Sequence, residues 1–458
     1  MASGGGLLDL VARGKKDTFF NENPKISFIH SVYCRTNPST QEIRYTYPKN
    51  KPAWGQVLEF DIEHVGDIMR NPVLLIDLPT WLPPQQALLN PTSFTCDVSG
   101  VEYGYCHNIG VLMIDKVQVH AGQYLLQEFW GQWLSWRVAM DTKAAIYGST
   151  IGNNISICKT ATSKQIRIYL PILGNQSEGD KGFPTTALSG QSFTIRVFLK
   201  RLEEVVEASD GRINPTPWDR TMYQLSTLKG ESKEFKTLPR SLIPGPTITL
   251  ETTQIYIPRD AQELLKKTLL QLHFTQIQRI QYTIEDAKWN PLIGAGTTVQ
   301  IPVTLDFVGA TSRLLIAVQS EVSLKAGQLY NLAPPPGSAT QFLRTIRFNA
   351  GLIDRLNELD NTLWREVANY YKNKRAPGDQ YDNMLNVYTL TFGGENDTLS
   401  PMGTFNMSRA DKQVLYANLA PISIDPRLKS RKAYLIIYSE AWNVYEIKDG
   451  KGRLKFAD

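Results

Sequence analysis

The chain has 458 residues, of which 42% are hydrophobic and 20% are charged, a composition typical of globular proteins rather than of disordered or coiled-coil chains. This length suffices for roughly two to four domains. The formal net charge of +5 is small for such a length, and basic residues gather only in short clusters. A nucleic-acid-binding protein would carry a stronger basic stripe, so we expect no direct nucleic-acid binding.

The cysteines and the N-terminal residues bear on the cellular compartment. Cys34, Cys96, Cys106 and Cys158 are scattered and form no C-x-x-C pair. The first residues lack the pattern of a signal peptide, and no apolar run reaches the length of about 18 residues that a membrane-spanning helix needs. We therefore expect a reducing, cytosolic origin with free thiols.

Short stretches of alternating apolar and polar residues dominate the first half. The segment QSFTIRVFLKRL at 191–202 places its apolar residues on one face, as a half-buried strand requires. Earlier, VQVHAG at 117–122 ends a predicted strand, and the aromatic-rich segment 123–140 that follows has the spacing of an amphipathic helix. The Trp residues in 130–136 could stack on bases or sugars, but packing of a helix against a sheet is the favoured interpretation.

The middle of the chain contains a predicted connector. A strand is predicted at 247–257, and RDAQELLKKTLLQLHF at 259–274 follows it with leucines at helical spacing. Asp260 lies near the start of this segment, where a negative charge suits the helix dipole. The sequence therefore predicts a helix over 259–274 that joins two domains.

The second half repeats features of the first. Its predicted strands are 276–284, 299–308, 386–392, 412–419 and 431–442. IRFNAG at 346–351 repeats the pattern of VQVHAG, half the chain length away, and a second predicted helix at 352–374 follows it. A looser echo relates 166–199 to 387–419. Two echoes in the same order favour a duplication, so we predict two similar β-domains in tandem.

The sequence offers few residues for catalysis or metal binding. The histidines include no His-x-His pair; they are His30, His64, His107, His120 and His273. Cys96, Cys106 and His107 could supply three zinc ligands, but no fourth ligand is apparent. Nucleophile-elbow and phosphate-loop motifs are missing. We therefore predict no catalytic, cofactor-binding or metal-binding residues and no enzymatic activity. His120 is predicted to be structural, because its counterpart Asn349 is another hydrogen-bonding side chain.

Two stretches of the chain have a distinctive pattern of residues. The first is 6–35, whose characteristic positions are Gly6, Leu7, Leu10, Val11, Ala12, Gly14, Asp17, Asn23, Pro24, Ile26, Phe28, Val32, Tyr33 and Arg35. The second is a strand followed by Pro401, Gly403, Asn406, Ser408, Arg409 and Asp411. Both stretches resemble the major capsid proteins of nucleocytoplasmic large double-stranded DNA viruses, and the connector region is also similar to that family's link between halves. Arg409 and Asp411 are candidates for a local ion pair that fixes the entry to the next strand, and a salt bridge on a solvated surface is the alternative.

This resemblance implies an all-β double jelly roll, two tandem eight-stranded sandwiches with a few short helices in loops and a connector helix. The implied boundaries are 1–24 for an N-terminal arm, 25–258 for the first jelly roll, 259–274 for the connector and 275–458 for the second. It implies a homotrimeric, pseudo-hexameric capsomer of an icosahedral shell around an internal membrane. The implied partners are other copies of the chain, neighbouring capsomers, minor capsid and penton proteins, and the membrane side of the virion near the arm. Assembly in the host cytoplasm is implied as well.

Two alternatives remain open from the sequence. One is a lectin-like double β-sandwich that uses Trp218, Trp289 and Trp442 as platforms for sugars. The other is a metal-dependent jelly-roll enzyme, which the missing His-x-His pair disfavours. The segment 203–245 has no counterpart in the family pattern, and its role is left without a prediction.

Overall fold

A computed structural model describes most of the chain. The described residues are 38–62, 66–79, 103–140, 165–173, 182–215, 245–289, 299–336, 338, 341–351, 353–360, 363–367, 386–393 and 403–456. All elements below belong to one unit, Thr40–Asp458. The predicted arm at 1–24 and the signature at 6–35 lie outside the described residues, as does most of the 203–245 segment.

The first half contains ten strands and two helices among its described residues. The strands are β1 (Thr40–Thr46), β2 (Val57–Ile62), β3 (Ile68–Asp77), β4 (Tyr103–Tyr105), β5 (Ile114–Ala121), β6 (Tyr124–Trp130), β7 (Ile166–Tyr169), β8 (Phe193–Leu199), β9 (Val206–Ala208) and β10 (Thr247–Tyr256). The helices are α1 (Ile109–Leu112) and α2 (Gly131–Met140). One sheet has the order β1-β10-β3-β7, the other β2-β8-β5-β6, and β4 pairs with β9.

The second half is built in the same way. Its strands are β11 (Leu270–Ile284), β12 (Gln300–Thr304), β13 (Ala310–Ser320), β14 (Leu343–Ala350), β15 (Ile353–Asp360), β16 (Tyr388–Thr391), β17 (Phe405–Asn406), β18 (Gln413–Leu419), β19 (Ala433–Lys448) and β20 (Lys451–Leu454). The helices are α3 (Arg259–Lys267), α4 (Asp286–Trp289) and α5 (Glu321–Lys325), with a π-helical turn at Leu363–Val367. The sheets are β11-β19-β13-β16, which also carries β17 and β20, and β12-β18-β14-β15.

The two halves therefore have matching sandwiches: each has two sheets whose four main strands follow equivalent orders, and β17 and β20 extend one sheet of the second half. The seven strands predicted from alternation are all present in the structure. In β8 the even-numbered Arg196 and Phe198 are less buried than the odd positions, which face the core. The predicted all-β class and the duplication are confirmed.

The cores of the two sandwiches meet. The core of the first half includes side chains from the second, among them Ile277, Leu315 and Tyr438. Strand β19 is buried on both faces along nearly its whole length, because one face fills its own sandwich and the other contacts the first half. This explains why the segment AYLIIYSEAWNVYEIK is almost continuously apolar rather than alternating.

The helices predicted after the two hexapeptides are largely wrong. Residues 124–130 form strand β6, and the helix begins only at Gly131. In the second half, 353–360 form strand β15, and 363–367 form a π-helical turn. Over such short stretches the amphipathic pattern fits a helix or a strand equally well. Hydrogen-bond pairing with the preceding strand stabilises the extended form, so each stretch forms a hairpin. Residues 368–374 lie outside the described part of the chain.

The predicted connector helix is real but shorter than expected. It ends at Lys267, and none of its residues is buried. From Leu270 the backbone pairs with β19, beginning opposite Ile447. The apolar residues Leu272 and Phe274 pack against the first core from this strand. Residues 270–274, which the leucine spacing assigned to the helix, are therefore part of strand β11 because they pair with β19.

Candidate interaction surfaces

The repeated hexapeptides form equivalent hairpin corners. Ala121 pairs with Tyr124 across a two-residue turn, and Ala350 pairs with Ile353 in the same way. The glycine that opens each turn has a positive φ, 59° at Gly122 and 70° at Gly351. Glycine adopts this backbone conformation without the steric cost that a side chain would add. Both hairpins require a positive φ at this turn position, which accounts for the glycine in both copies of the hexapeptide.

His120 lies beside the first of these turns. Its Nε2 is 3.4 Å from Oε1 of Gln118, and the ring is half-buried. Burial, followed by the positive charge of Arg196, lowers the pKa of His120 below its usual value. Its counterpart Asn349 donates from Nδ2 to Oδ1 of Asp354 at 3.0 Å. Both positions thus hold a polar side chain that makes a local hydrogen bond near the turn.

The helix after β6 packs against the outer face of the second sandwich. Trp136 lies edge-on to the Tyr438 ring, with centroids 5.1 Å apart at 81°, and Trp130 lies 5.8 Å from the same ring. The Tyr438 hydroxyl donates to Oε1 of Gln132 at 3.1 Å, and Nε2 of Gln132 donates to Oε1 of Gln319 at 3.0 Å. The tryptophans are packing residues between a helix and a sheet, as the sequence analysis favoured.

A buried ion pair lies at the centre of this internal interface. Arg313 donates from Nε to Oε2 of Glu440 and from Nη2 to Oε1 at 3.0 Å. Trp133, from the first half, donates its indole N–H to Oε1 of Glu440 at 2.8 Å. Glu440 is only 5% exposed and Arg313 only 9%. Burial alone would raise the pKa of Glu440, but Arg313 and Trp133 more than offset it and hold that pKa below its usual range.

Strand β6 also contacts β11 across the same interface. Gln127 is buried, and its Nε2 donates to the carbonyl oxygen of Pro171 at 3.2 Å and to that of Thr275 at 3.3 Å. The amide N–H of Leu173 donates to Oε1 of Gln127 at 3.1 Å. One glutamine therefore ties the first sandwich to the edge strand of the second.

Sequence reasoning did not identify the polar residues of this interface, Gln127, Arg313 and Glu440. The signal was present in β19, where Glu440 lies in the middle of a long, largely apolar run. A charged residue inside such a run needs a buried partner. The sequence alone does not say which cation supplies it.

Among the described residues, apolar side chains are exposed on β1, β15 and β6, where Tyr124 and Leu125 are 69% and 43% exposed. On β1 and just after it, Ile43, Tyr45 and Tyr47 are 57%, 54% and 73% exposed. A cleft of about 580 Å³ opens beside this strand. On β15, Ile353 is 57% exposed and Leu359 is 40% exposed. Clustered apolar exposure on edge strands is typical of surfaces that contact another protein.

The predicted Arg409–Asp411 ion pair is not found among the described residues, where both side chains are exposed. Other bonds hold the block instead. The Gly309 N–H donates to Oγ of Ser408 at 2.8 Å. Buried Gln413 donates from Nε2 to the carbonyl oxygens of Phe307 and Met407, at 2.9 and 2.8 Å. Hydrogen bonds between uncharged side chains and backbone groups hold this turn, and the charged side chains of Arg409 and Asp411 remain in solvent.

The residues considered for zinc binding are not assembled into a site in the described part of the chain. Cys106 is buried, and the His107 ring packs edge-on against Tyr330, with ring centroids 5.2 Å apart. Cys96 lies outside the described residues. No group of three or more His, Cys, Asp or Glu side chains there is arranged to hold a metal ion. Among the same residues, no helix is long and apolar enough to cross a bilayer.

The tryptophans proposed as sugar platforms are Trp218, Trp289 and Trp442. Trp289 is fully buried and packs beside Phe342, with ring centroids 6.1 Å apart. A ring in that position cannot stack on a sugar, so the prediction for Trp289 is wrong. Trp442 is half-buried, and Trp218 lies outside the described residues.

Comparisons with known proteins give relatives of one kind. No family model matches the chain. A probable capsid protein of Acanthamoeba polyphaga mimivirus is 24% identical over 216 residues, 46% of this chain and 40% of the relative, so the match spans less than half of that protein. The major capsid protein of Pyramimonas orientalis virus is 21% identical over 466 residues, 99% of this chain and 100% of the relative. These relatives are structural proteins, not enzymes.

A solved structure matches over nearly the whole fold. VP54 of the virus PBCV-1 superposes with a TM-score of 0.69 at 15% identity, covering 94% of this chain and 100% of that one. Such low identity establishes the fold, which is the double jelly roll of capsid proteins. The family resemblance inferred from 6–35 and the 401–411 block is confirmed by these relatives. The chain is therefore similar in sequence to major capsid proteins of large double-stranded DNA viruses and shares the fold of VP54.

Proposed function

We propose that this protein is the major capsid subunit of a large double-stranded DNA virus and that it acts by self-assembly. In the proposal, three chains form a homotrimeric capsomer with a pseudo-hexagonal outline. Such capsomers tile the faces of an icosahedral shell around an internal membrane. The protein is then a component of the virion that is made and assembled in the host cytoplasm.

The duplication of the sandwich carries this proposal. Each half has two sheets whose four main strands follow equivalent orders, so a ring of three chains contains six similar units. A heterologous contact that repeats around a closed ring is a common route to symmetric oligomers. The edge strands β1 and β15, with their exposed apolar side chains, supply surfaces for contacts between subunits.

Further partners follow from the family resemblance. Minor capsid and penton proteins would contact the rim and base of the capsomer. The N-terminal arm at 1–24 would lie at the base, towards the membrane side of the virion. The weak net charge of +5 agrees with the absence of direct nucleic-acid binding in this proposal.

The solution mass of the purified chain tests the proposal. Light scattering after gel filtration should give three times the chain mass of 51.6 kDa. The mass should persist on dilution to low micromolar concentration, since a capsomer is a permanent assembly. A folded chain that remains monomeric under all such conditions would overturn the proposal.

A further inference from the structure

The connector helix α3, the β5–β6 turn and the β19–β20 hairpin lie at one end of the first sandwich. The chain between 185 and 192 links them. The Gly122 N–H donates to the carbonyl oxygen of Ser192 at 2.7 Å, and the Gly190 N–H donates to that of Gly450 at 2.9 Å. Helix α3 lies against the 3₁₀ turn Thr185–Leu188. We call the surface formed by 122–125, 185–192, 259–269 and 448–451 the connector end.

Large apolar side chains protrude from the connector end. Gln262 donates from Nε2 to Oδ2 of Asp67 at 3.0 Å, which turns that side of α3 towards the sandwich. Leu264 lies about 200° further around the helix, so it points away from the sandwich. Four such side chains of this end are exposed: Tyr124 (69%), Leu125 (43%), Leu264 (66%) and Leu269 (47%). They lie on a helix, just after it, and on a tight turn, which are the protruding parts of this surface.

Lysines accompany these apolar side chains. Two exposed lysines lie in the last turn of α3, Lys266 and Lys267, and two flank the tip of the β19–β20 hairpin, Lys448 and Lys451. Lys267 shares Glu263 with Arg259, at N–O distances of 3.6 Å. Among the described residues the other three lysines form no ion pair. The connector end has five cationic side chains and three carboxylates, which is a net charge of +2.

We infer that the connector end binds the surface of an anionic lipid bilayer. Single apolar side chains on a helix and a turn can enter the boundary between lipid headgroups and acyl chains. Lysine ammonium groups on flexible stems reach the lipid phosphates and carboxylates beside them. The inference rests on the proposed function and deepens it, because it names the part of the subunit that contacts the internal membrane.

The combination of apolar and cationic groups favours a bilayer over other partners. Leu264 and Lys267 are three residues apart in α3, so they face solvent on the same side of the helix. A nucleic acid would attract the lysines but would leave Leu264 and Tyr124 in water. A protein partner of stable affinity would require a contiguous apolar patch rather than separate protruding residues. An anionic bilayer satisfies both kinds of side chain at once.

Vesicle flotation tests this inference on the full-length protein. The protein should float with vesicles made of equal parts phosphatidylcholine and phosphatidylserine. Its affinity for pure phosphatidylcholine vesicles should be at least about tenfold lower, because each lysine near an anionic surface contributes about fivefold. Salt should release the bound protein, since it screens this attraction. Equal binding to both kinds of vesicle would contradict the role of the lysines.

Two test variants remove the two kinds of contact separately. The Lys448→Glu, Lys451→Glu variant should bind anionic vesicles about 25-fold more weakly or worse, since it removes two lysine contributions and adds like charge. The Leu264→Asp variant should bind about tenfold more weakly, because an aspartate cannot enter the headgroup boundary without losing its hydration. All three positions are exposed, so the thermal unfolding of both variants should match that of the unmodified chain.

The matched controls lie at the other end of β19. This strand has 16 residues, so Ala433 and Lys448 are about 50 Å apart. The loop before Ala433 contains the exposed Ile424 and Lys429, and α4, with the exposed Lys288, bonds to the same loop. The Lys288→Glu, Lys429→Glu variant and the Ile424→Asp variant make the same chemical changes there. Both should bind anionic vesicles like the unmodified chain.

Light scattering on the same preparations separates this inference from the proposed function. A trimer that does not float with anionic vesicles would overturn the inference and leave the proposed function standing. Equal binding by the test and control variants would do the same. A monomer that floats, and whose binding the test variants reduce, would support the lipid surface and overturn the proposed capsomer. A monomer that does not float would overturn both.

Discussion

The ion pair between Arg313 and Glu440 should be among the most sensitive points of the fold. Replacing Glu440 by Gln keeps the side-chain shape but removes the charge that Arg313 pairs with through two hydrogen bonds. Because Arg313 is only 9% exposed, the guanidinium would be left in a nearly water-free interface. Breaking one partner of a buried pair costs about 3–5 kcal/mol, and we expect the free energy of unfolding to fall by that amount.

The matched control removes both charges. In an Arg313→Met, Glu440→Leu double variant no charge is stranded, and the main remaining defect is the Trp133 indole N–H without its acceptor. That loss costs about 1–2 kcal/mol, so the double variant should be more stable than the Glu440→Gln variant. Urea unfolding at fixed protomer concentration measures all three proteins. A cost below about 1 kcal/mol for Glu440→Gln, or a double variant that is less stable than Glu440→Gln, would refute this reasoning.

Three further predictions concern acid stability, the turns and His120. The pKa of Glu440 is lower in the folded chain than in the unfolded chain, so the Glu440 carboxylate stabilises the fold above the unfolded-state pKa. This stabilisation is lost as the pH falls through the folded-state pKa. The urea midpoint should therefore decline more steeply in acid for the unmodified chain than for the double variant. Gly122→Ala should cost only about 1 kcal/mol in thermal unfolding, because φ is positive but nothing lies within 4 Å of the added Cβ. Gly327→Ala should lower the free energy of unfolding by about 2 kcal/mol or more, because φ is positive there too and the added Cβ would overlap the Val206 carbonyl oxygen. Equal losses of stability in the Gly122→Ala and Gly327→Ala variants would contradict this account of the two glycines. His120→Asn should change the free energy of unfolding by less than about 1 kcal/mol in urea titrations, and a larger loss would assign His120 a role that Asn349 does not share.

The strand content and the duplication could be predicted because they depend on local alternation and on two sequence echoes. Strand β8, for example, is visible from its apolar positions alone. The segments after the two Ala–Gly pairs could not be assigned correctly, because eight residues of mixed polarity satisfy a helical or an extended pattern equally well. Pairing with the preceding strand, a tertiary effect, makes β6 and β15 strands.

The interaction surfaces could not be predicted from the sequence for a related reason. Which cation pairs with Glu440, and which strand covers Ile277, depends on residues far away along the chain. The Arg409–Asp411 prediction failed because charges two residues apart in a loop have no need to meet when both remain in water. The exposure of Tyr45 and Ile353 depends on which strands lie at the edge of a sheet, and the alternating pattern does not specify that.

Electron microscopy of the purified particles tests the central claim most directly. If three duplicated sandwiches form a closed ring, class averages viewed along the symmetry axis should have threefold symmetry and six lobes of similar size. Neighbouring lobes should be evenly spaced, since contacts within and between chains are then equivalent. Averages with two lobes, or an open chain of lobes without threefold symmetry, would contradict the account.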